Sequence, residues 1–91
     1  MAVLIDYKSS VLRDLKHLDK SVAARILDDL RDALSSDPDC GTPLSGQFKG
    51  MRKLRVGDYR IIYSRTNEGV LILRIGHRSI VYDLSLIHIS A

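Results

Sequence analysis

The chain has 91 residues, of which 45% are hydrophobic and 27% charged, and its formal net charge is +3. This length supports one domain with one modest core, and the composition is typical of a folded protein rather than a disordered one. The apolar runs are too short for a signal peptide or a membrane span, and the single cysteine, Cys40, excludes an intrachain disulfide and a cysteine metal cluster. We therefore expect a cytoplasmic protein with no membrane partner.

The first half of the chain predicts one strand and two helices. Residues 2–7 form a short apolar run, and the serines that follow Lys8 are candidate helix caps. Hydrophobic residues at helical spacing predict a short amphipathic helix over residues 9–18. A second, longer helix is predicted to begin with Asp19 or Ser21 as its cap, with an apolar stripe from Val22 to Leu34. Residues 35–46 contain both prolines and predict a connecting loop.

From Phe48 onward the hydrophobic pattern has a period of two and predicts three strands joined by turns at residues 57–58 and 66–69. The residues predicted to share the apolar face of this meander are Leu54, Val56, Tyr59, Ile61, Tyr63, Leu71, Leu73 and Ile75. The two helices need an apolar surface to cover. We therefore expect an α+β fold with about four strands, in the order β-α-α-β-β-β, and with both helices on one face of a small antiparallel sheet.

Positive charge is concentrated in the second half of the chain. Residues 1–40 have six Lys or Arg against eight Asp or Glu, whereas residues 41–91 have eight against three. Alternation places Lys53, Arg55, Arg60 and Arg74 on the face that the helices are expected to leave open, with Arg78 just beyond the last strand. Such an asymmetry favours a polyanionic partner, although basic residues also keep small sheets soluble.

A cationic sheet face suits the phosphodiester backbone of RNA. Cleavage of RNA requires a proton acceptor, a group that stabilises the phosphorane and a proton donor, while the nucleophile can be the adjacent 2′-hydroxyl without a metal. Lys53 is a candidate proton acceptor or electrostatic stabiliser, since Arg55 and Arg60 are expected to lie beside it on the same face. Tyr82 is a candidate for stacking on an unpaired base. Two interpretations of His77 stay open: proton transfer, or a structural role at the end of the core face. Alternation places His77 on the same face as Leu71, Leu73 and Ile75, which favours the structural role.

The segment LSGQFKGMRKLRVGDYRIIY, followed by an apolar strand that ends in IGHRSIVY, resembles the RelE/ParE superfamily of toxins from type II toxin–antitoxin systems, and most closely its RelE branch. The resemblance extends from residue 2 to residue 82. It implies a RelE-like fold and a ribosome-dependent mRNA endonuclease, or mRNA interferase, that uses no cofactor and no metal. The implied catalytic residues are Lys53 as base or charge stabiliser, Arg60 for the phosphorane, Arg78 as acid or leaving-group stabiliser, and Tyr82 for base stacking. Beside these, the basic residues Lys49, Arg55 and Arg74 are predicted to bind RNA.

One position departs from the resembled pattern. Met51 stands where the RelE branch has another lysine, so either Arg55 or Lys49 compensates or the activity is weakened. The alternative functions are a ParE-like toxin that inhibits gyrase and a catalytically weakened module that binds an antitoxin. The implied partners are a RelB-like antitoxin, the ribosome and mRNA, with operator DNA bound only by the toxin–antitoxin complex.

The expected domain organisation is a single RelE-like toxin domain over residues 1–83 and an atypical tail over residues 84–91. The tail is uncharged and apolar, and it resembles translated vector sequence. An edge strand and a non-native addition both remain open, so His88 is left out of the predicted site.

Overall fold

A computed structural model describes residues 3–77, apart from the side chain of Gln47. Its elements are β1 (Leu4–Tyr7), α1 (Ser9–Lys16), α2 (Lys20–Ser36), β2 (Thr42–Pro43), a 3-10 turn (Gly46–Phe48), β3 (Met51–Val56), β4 (Tyr59–Arg65) and β5 (Gly69–His77). Neither helix in this range is long and apolar enough to cross a membrane. Arg78, Tyr82 and the predicted tail lie outside the described residues.

The strands form one sheet in the order β1-β5-β4-β3-β2. β1 pairs with β5 in parallel, and every other pair is antiparallel. The expected α+β class and the order of the main elements are confirmed. The sheet has five strands rather than about four, because Thr42 and Pro43, predicted to be loop, pair with Lys53 and Arg52 of β3.

The two helices cover one face of the sheet with the apolar stripes that the sequence predicts. The buried residues of this core are Val11 of α1, Ile26, Leu30 and Leu34 of α2, and Ile61, Tyr63, Val70, Ile72 and Ile75 of the sheet. Each large apolar side chain stabilises the fold by about 1.5–3 kcal/mol when it is fully buried. The helices are therefore held mainly by burial against this face of the sheet.

The predicted helix caps are only partly correct. The N-cap of α1 is Lys8, so that Ser9 and Ser10 lie inside the first turn. The hydroxyl of Ser10 donates a hydrogen bond of 2.8 Å to the carbonyl oxygen of Leu73 instead. Asp19 is the N-cap of α2 as expected, but its side chain makes no capping hydrogen bond. The Ser10 side chain, which the local sequence predicts as a helix cap, thus makes a tertiary contact instead.

The face opposite the helices is covered at one end. Phe48, Ile62 and Leu73 form a second buried cluster there. Leu44, Met51 and Leu71 pack against this cluster. The expectation that this face is open is therefore wrong at this end, where the segment between β2 and β3 folds over it, and Arg60 on the same face is only 6% exposed.

The predicted facing of β5 is wrong over its first part. The pairing of β4 with β5 shifts between Ile62, which lies opposite Arg74, and Tyr63, which lies opposite Ile72. Leu73 is therefore an extra residue, as in a β-bulge. Val70 and Ile72 pack in the helix-side core, whereas Leu71 and Leu73 pack on the opposite face. Strict alternation between the two faces does not predict this facing. Nearly every residue of β5 is apolar, so the sequence does not show where the bulge interrupts the alternation.

The connection from α2 to β2 is anchored by Tyr63. The Tyr63 hydroxyl donates to the carbonyl oxygen of Pro38 at 3.0 Å and accepts from the backbone N–H of Gly41 at 2.9 Å. A Cβ atom at Gly41 would lie 2.8 Å from the Tyr63 ring and hydroxyl, so this close approach requires glycine. Arg52 adds hydrogen bonds from Nη1 to the carbonyl oxygens of Gly41 and Asp39, at 2.8 and 3.1 Å.

Replacing Tyr63 by Phe should lower the free energy of unfolding by about 1–3 kcal/mol, because the buried N–H of Gly41 loses its acceptor. The measurement is equilibrium unfolding in urea at pH 7. Tyr59→Phe is the matched control, since within residues 3–77 no hydrogen bond involves the Tyr59 hydroxyl. Equal losses in the two variants would show that the Tyr63 hydroxyl has no special role.

The contribution of Tyr63 should also depend on pH. Burial raises the pKa of the Tyr63 hydroxyl above its ordinary value of 10.0, and the hydrogen bond from Gly41 opposes this in part. Because the folded state holds the proton more tightly, the stabilisation is complete below the unfolded pKa and is lost as the pH rises through the folded pKa. The stability difference between the parent protein and Tyr63→Phe should thus shrink above about pH 10. A constant difference in urea unfolding from neutral pH upward would contradict this.

Candidate functional site

Lys53, Arg55 and Arg60, here called the cationic cluster, lie on neighbouring positions of β3 and β4. Arg55 is directly opposite Arg60, and Lys53 is opposite Ile62. Side chains opposite each other in an antiparallel pair point to the same face, with their Cβ atoms about 4.5–5.5 Å apart. Ile62 belongs to the cluster on the face away from the helices. The cationic cluster therefore shares that face, as alternation predicts.

A two-residue turn sets the pairing of the cationic cluster. Val56 and Tyr59 are the last pair before the turn, and Gly57 has a φ of +60°. All described residues with a positive φ are glycines, so the φ of Asp58 is negative. Glycine at the first central position is typical of the type II′ turn, whose twist matches that of a hairpin. This turn brings Arg55 opposite Arg60.

The members of the cationic cluster differ in exposure. Arg60 is only 6% exposed and is the single charged residue classed as buried within residues 3–77. Its Nη1 lies 3.5 Å from the carbonyl oxygen of Tyr59. Arg55 is exposed and donates from Nε to the carbonyl oxygen of Gly57 at 3.3 Å, while Lys53 is half-buried. Three cations at adjacent positions create a positive potential that attracts anions.

An apolar platform adjoins the cationic cluster. Ile62, opposite Lys53, is 1% exposed and packs with Phe48 and Leu73. Met51 packs against the same platform, which accounts for an apolar residue where the resembled pattern has a lysine. Lys49 is exposed and precedes β3, so strand pairing does not bring it to the cationic cluster.

Arg74 is held by α1. Its Nε and Nη2 donate to the two carboxylate oxygens of Asp14 at 2.9 and 3.0 Å. The side chains of Arg74 and Asp14 are 25% and 13% exposed. Asp14 also accepts from the backbone N–H of Ile75 at 3.0 Å. Asp14 was not predicted, because its only signal in the sequence is an acidic residue that flanks the apolar stripe of α1.

His77 lies at the end of the helix-side core. Its ring meets that of Tyr59 edge to face, with centroids 5.7 Å apart and planes at 86°. This contact agrees with the structural interpretation of His77. A cavity of about 360 Å³ beside these rings is also lined by Arg13 and His17 of α1. Residues 3–77 contain no group of three or more His, Cys, Asp or Glu side chains that could hold a metal ion.

The sequence model described as "ParE toxin of type II toxin-antitoxin system, parDE" matches residues 5–82 of this chain. The chain belongs to this family. Toxin RelE of Mycobacterium tuberculosis is 31% identical to this ParE-family chain over an alignment of 81 residues that covers 85% of the chain and 82% of that relative. The resemblance to the RelE/ParE superfamily is thereby confirmed, and the chain is a toxin-family protein of a type II toxin–antitoxin system.

Solved structures agree with this assignment. The RelBE2 toxin–antitoxin complex from Mycobacterium tuberculosis contains a chain with 29% identity and a TM-score of 0.77, covering 87% of this chain and 94% of that one. The archaeal RelE–RelB complex from Pyrococcus horikoshii gives 27% identity and a TM-score of 0.65, with coverages of 86% and 97%. The isolated Escherichia coli RelE toxin, at 23% identity and a TM-score of 0.66 over 93% of this chain and 96% of its own, shows the shared fold.

Replacing Arg55 by Gln should stabilise the protein by a few tenths of a kcal/mol, because it removes a like charge directly opposite Arg60. Arg25→Gln is the matched control, since Arg25 is 84% exposed on α2 and its Nε lies 4.0 Å from the carboxylate of Asp29. Thermal unfolding measures the change in stability of both variants. A loss of stability in Arg55→Gln as large as that in Arg25→Gln would contradict the expectation.

Proposed function

We propose that this ParE-family protein is the toxin of a RelBE-type toxin–antitoxin pair and acts as a ribosome-dependent mRNA endonuclease. The observation that carries the proposal is the pairing of Arg55 with Arg60, which gathers the cationic cluster on one sheet face beside an apolar platform. The relative named Toxin RelE supports the RelE-type assignment. A positively charged sheet face suits RNA, because it attracts the phosphates of the backbone.

The proposed reaction is an attack of the RNA 2′-hydroxyl on the adjacent phosphate. Lys53 accepts the hydroxyl proton or stabilises the charge that develops. Arg60 stabilises the phosphorane, because a guanidinium can donate two parallel hydrogen bonds to phosphate oxygens and is most effective where water is scarce. Its exposure of 6% provides such a setting. Since the nucleophile belongs to the RNA, this chemistry requires neither a metal nor a cofactor.

The remaining roles follow from the resemblance. Arg78 is proposed to protonate or stabilise the leaving oxygen, and Tyr82 to stack on the substrate base; both lie outside the described residues. Arg55 is proposed to replace the lysine that Met51 displaces, since Arg55 is the cation opposite Arg60. Lys49 is proposed to hold RNA phosphates. Arg74, also a predicted RNA-binding residue, is proposed to act mainly through its ion pair with Asp14.

A RelB-like antitoxin is the proposed protein partner. The similar structures from Mycobacterium tuberculosis and Pyrococcus horikoshii are toxin–antitoxin complexes. A cationic sheet face gives an acidic antitoxin segment a complementary surface, which would mask the cationic cluster from RNA. Binding to operator DNA is proposed for the complex alone.

A second candidate function is inhibition of gyrase. It is favoured by the description of the matching sequence model, which names the ParE toxin. The ParE branch shares the fold and resembles gyrase inhibitors. The two candidates differ in their target, so a direct assay of each target separates them.

Lys53→Met, Arg60→Gln and Arg78→Ala should each lower the rate of mRNA cleavage on translating ribosomes by about a hundredfold or more, because each removes a group that acts on the reacting phosphate. Arg25→Gln, on α2, should cleave at the parent rate. Cleavage sites are mapped by primer extension on a defined message, and thermal unfolding verifies that each variant is folded.

The pattern of results identifies the function. The endonuclease is supported if the parent protein cuts messages on ribosomes and each of the three substitutions abolishes this cleavage. Intact messages together with inhibited supercoiling by purified gyrase would replace it with the ParE-type function. Intact messages, normal supercoiling and tight antitoxin binding would leave a catalytically weakened antitoxin-binding module.

A further inference from the structure

Helix α1 completes the hydrogen bonding of β5 where strand β1 ends. β1 pairs with β5 only from Gly69 to Ile72. Beyond this point the Lys8 N–H donates to the carbonyl oxygen of Ile72 at 3.0 Å, and the Ser10 hydroxyl donates to that of Leu73 at 2.8 Å. The N–H of Ile75 then donates to the Asp14 carboxylate at 3.0 Å. The segment from Lys8 to Asp14 thus takes the place of a neighbouring strand.

The register of β5 needs such a determinant. Residues 70–73 and 75 are all apolar, so a shift by one residue would still present apolar side chains to both faces of the sheet. Register is weakly specified where the burial pattern does not distinguish the two faces. The pairing of β4 with β5 shifts at Leu73, within this apolar run.

Asp14 fixes the strand immediately after the bulge. One carboxylate binds the side chain of Arg74 and the backbone N–H of Ile75, two successive residues, through three hydrogen bonds. Hydrogen bonds between ionised groups are roughly twice as strong as neutral ones. A strand slip would break all three contacts, because it would carry both residues away from α1.

The register of β5 determines which residue lies opposite Arg60. Gly76 lies opposite Arg60, next to the Ile61–Ile75 pair. A slip by one residue would bring Ile75 or His77, each with a large side chain, opposite the buried guanidinium instead. The position of Arg60 therefore depends on a contact made on the other side of β5.

We propose that Asp14 is a positioning residue of the endonuclease: it holds the end of β5 in the register that seats Arg60. The inference rests on the proposed function for its effect on cleavage, whereas its effect on strand register is independent of that function. Asp14 acts through Arg74 and Ile75 and does not touch RNA. Its loss should therefore reduce the turnover of bound substrate more than substrate binding.

The test compares Asp14→Ala, which removes every contact, with Asp14→Asn, which keeps an oxygen that can accept from the Ile75 N–H. Asp28→Ala is the control, because Asp28 also pairs with an arginine, Arg31 at 3.0 Å, but its side chain is 70% exposed on α2. Asp14→Ala should lower kcat for cleavage on programmed ribosomes at least tenfold and change KM less than about twofold, since small misplacements of reacting groups cost up to a hundredfold in rate. Asp14→Asn should recover part of kcat.

Strand register is read separately by NMR, from the cross-strand contacts of the Ile61–Ile75 and Arg60–Gly76 pairs and from the exchange rate of the Ile75 amide. Asp14→Ala should weaken these contacts and speed that exchange, while Asp28→Ala should leave them unchanged. Asp14→Asn gives the same readouts if the alanine variant does not fold.

Parent-like register and kcat in both Asp14 variants would overturn the inference, as would a loss confined to KM. A parent protein that does not cleave would refute the proposed function. In that case the NMR measurements alone decide whether Asp14 fixes the register.

Discussion

The structure depends on the burial of β4 from both sides. Ile61 and Tyr63 face the helix layer, while Ile62 between them packs on the opposite face with Phe48 and Leu73. All three side chains of β4 are at most 1% exposed. β4 also has a strand on each side, β3 and β5. Both cores and the sheet therefore meet on this strand. Such a strand fixes the direction of every side chain that it carries, because a slip by one residue would exchange its two buried faces.

The candidate site depends on the fixed side-chain directions of β4. Arg60 is the second residue of the same strand, so the burial of Ile61 and Ile62 also holds a guanidinium at low exposure opposite Arg55. Two like charges at opposing positions oppose folding. The apolar burial on both faces of β4 offsets this cost, and the positive potential is thereby kept on one face of the sheet. The positively charged face is in this way maintained by apolar contacts that lie outside the cationic cluster.

The sequence predicted some elements better than others, for identifiable reasons. Lys53 and Arg55 alternate with Leu54 and Val56, so polarity marks the two faces of β3, and the shared face of the cationic cluster was predicted correctly. In β5 nearly all residues are apolar, and the predicted facing failed at the bulge. The strand pairing of Thr42 was not predicted, because two residues within a proline-containing loop have no period to detect. The contact of Asp14 with Arg74 spans sixty residues of sequence and leaves no local pattern.

By itself, the sequence determined the α+β class, the two helices, the hairpin at Gly57 and the face that Lys53 and Arg60 share. These features follow from local periodicity and turn chemistry, which neighbouring residues specify. Only the tertiary structure decided which strand β1 joins, where β5 bulges, how the segment before β3 covers one end of the sheet and which residue holds Arg74. These features arise from contacts between distant segments, where competing arrangements of apolar residues have similar local patterns and differ only in how completely they pack and satisfy hydrogen bonds.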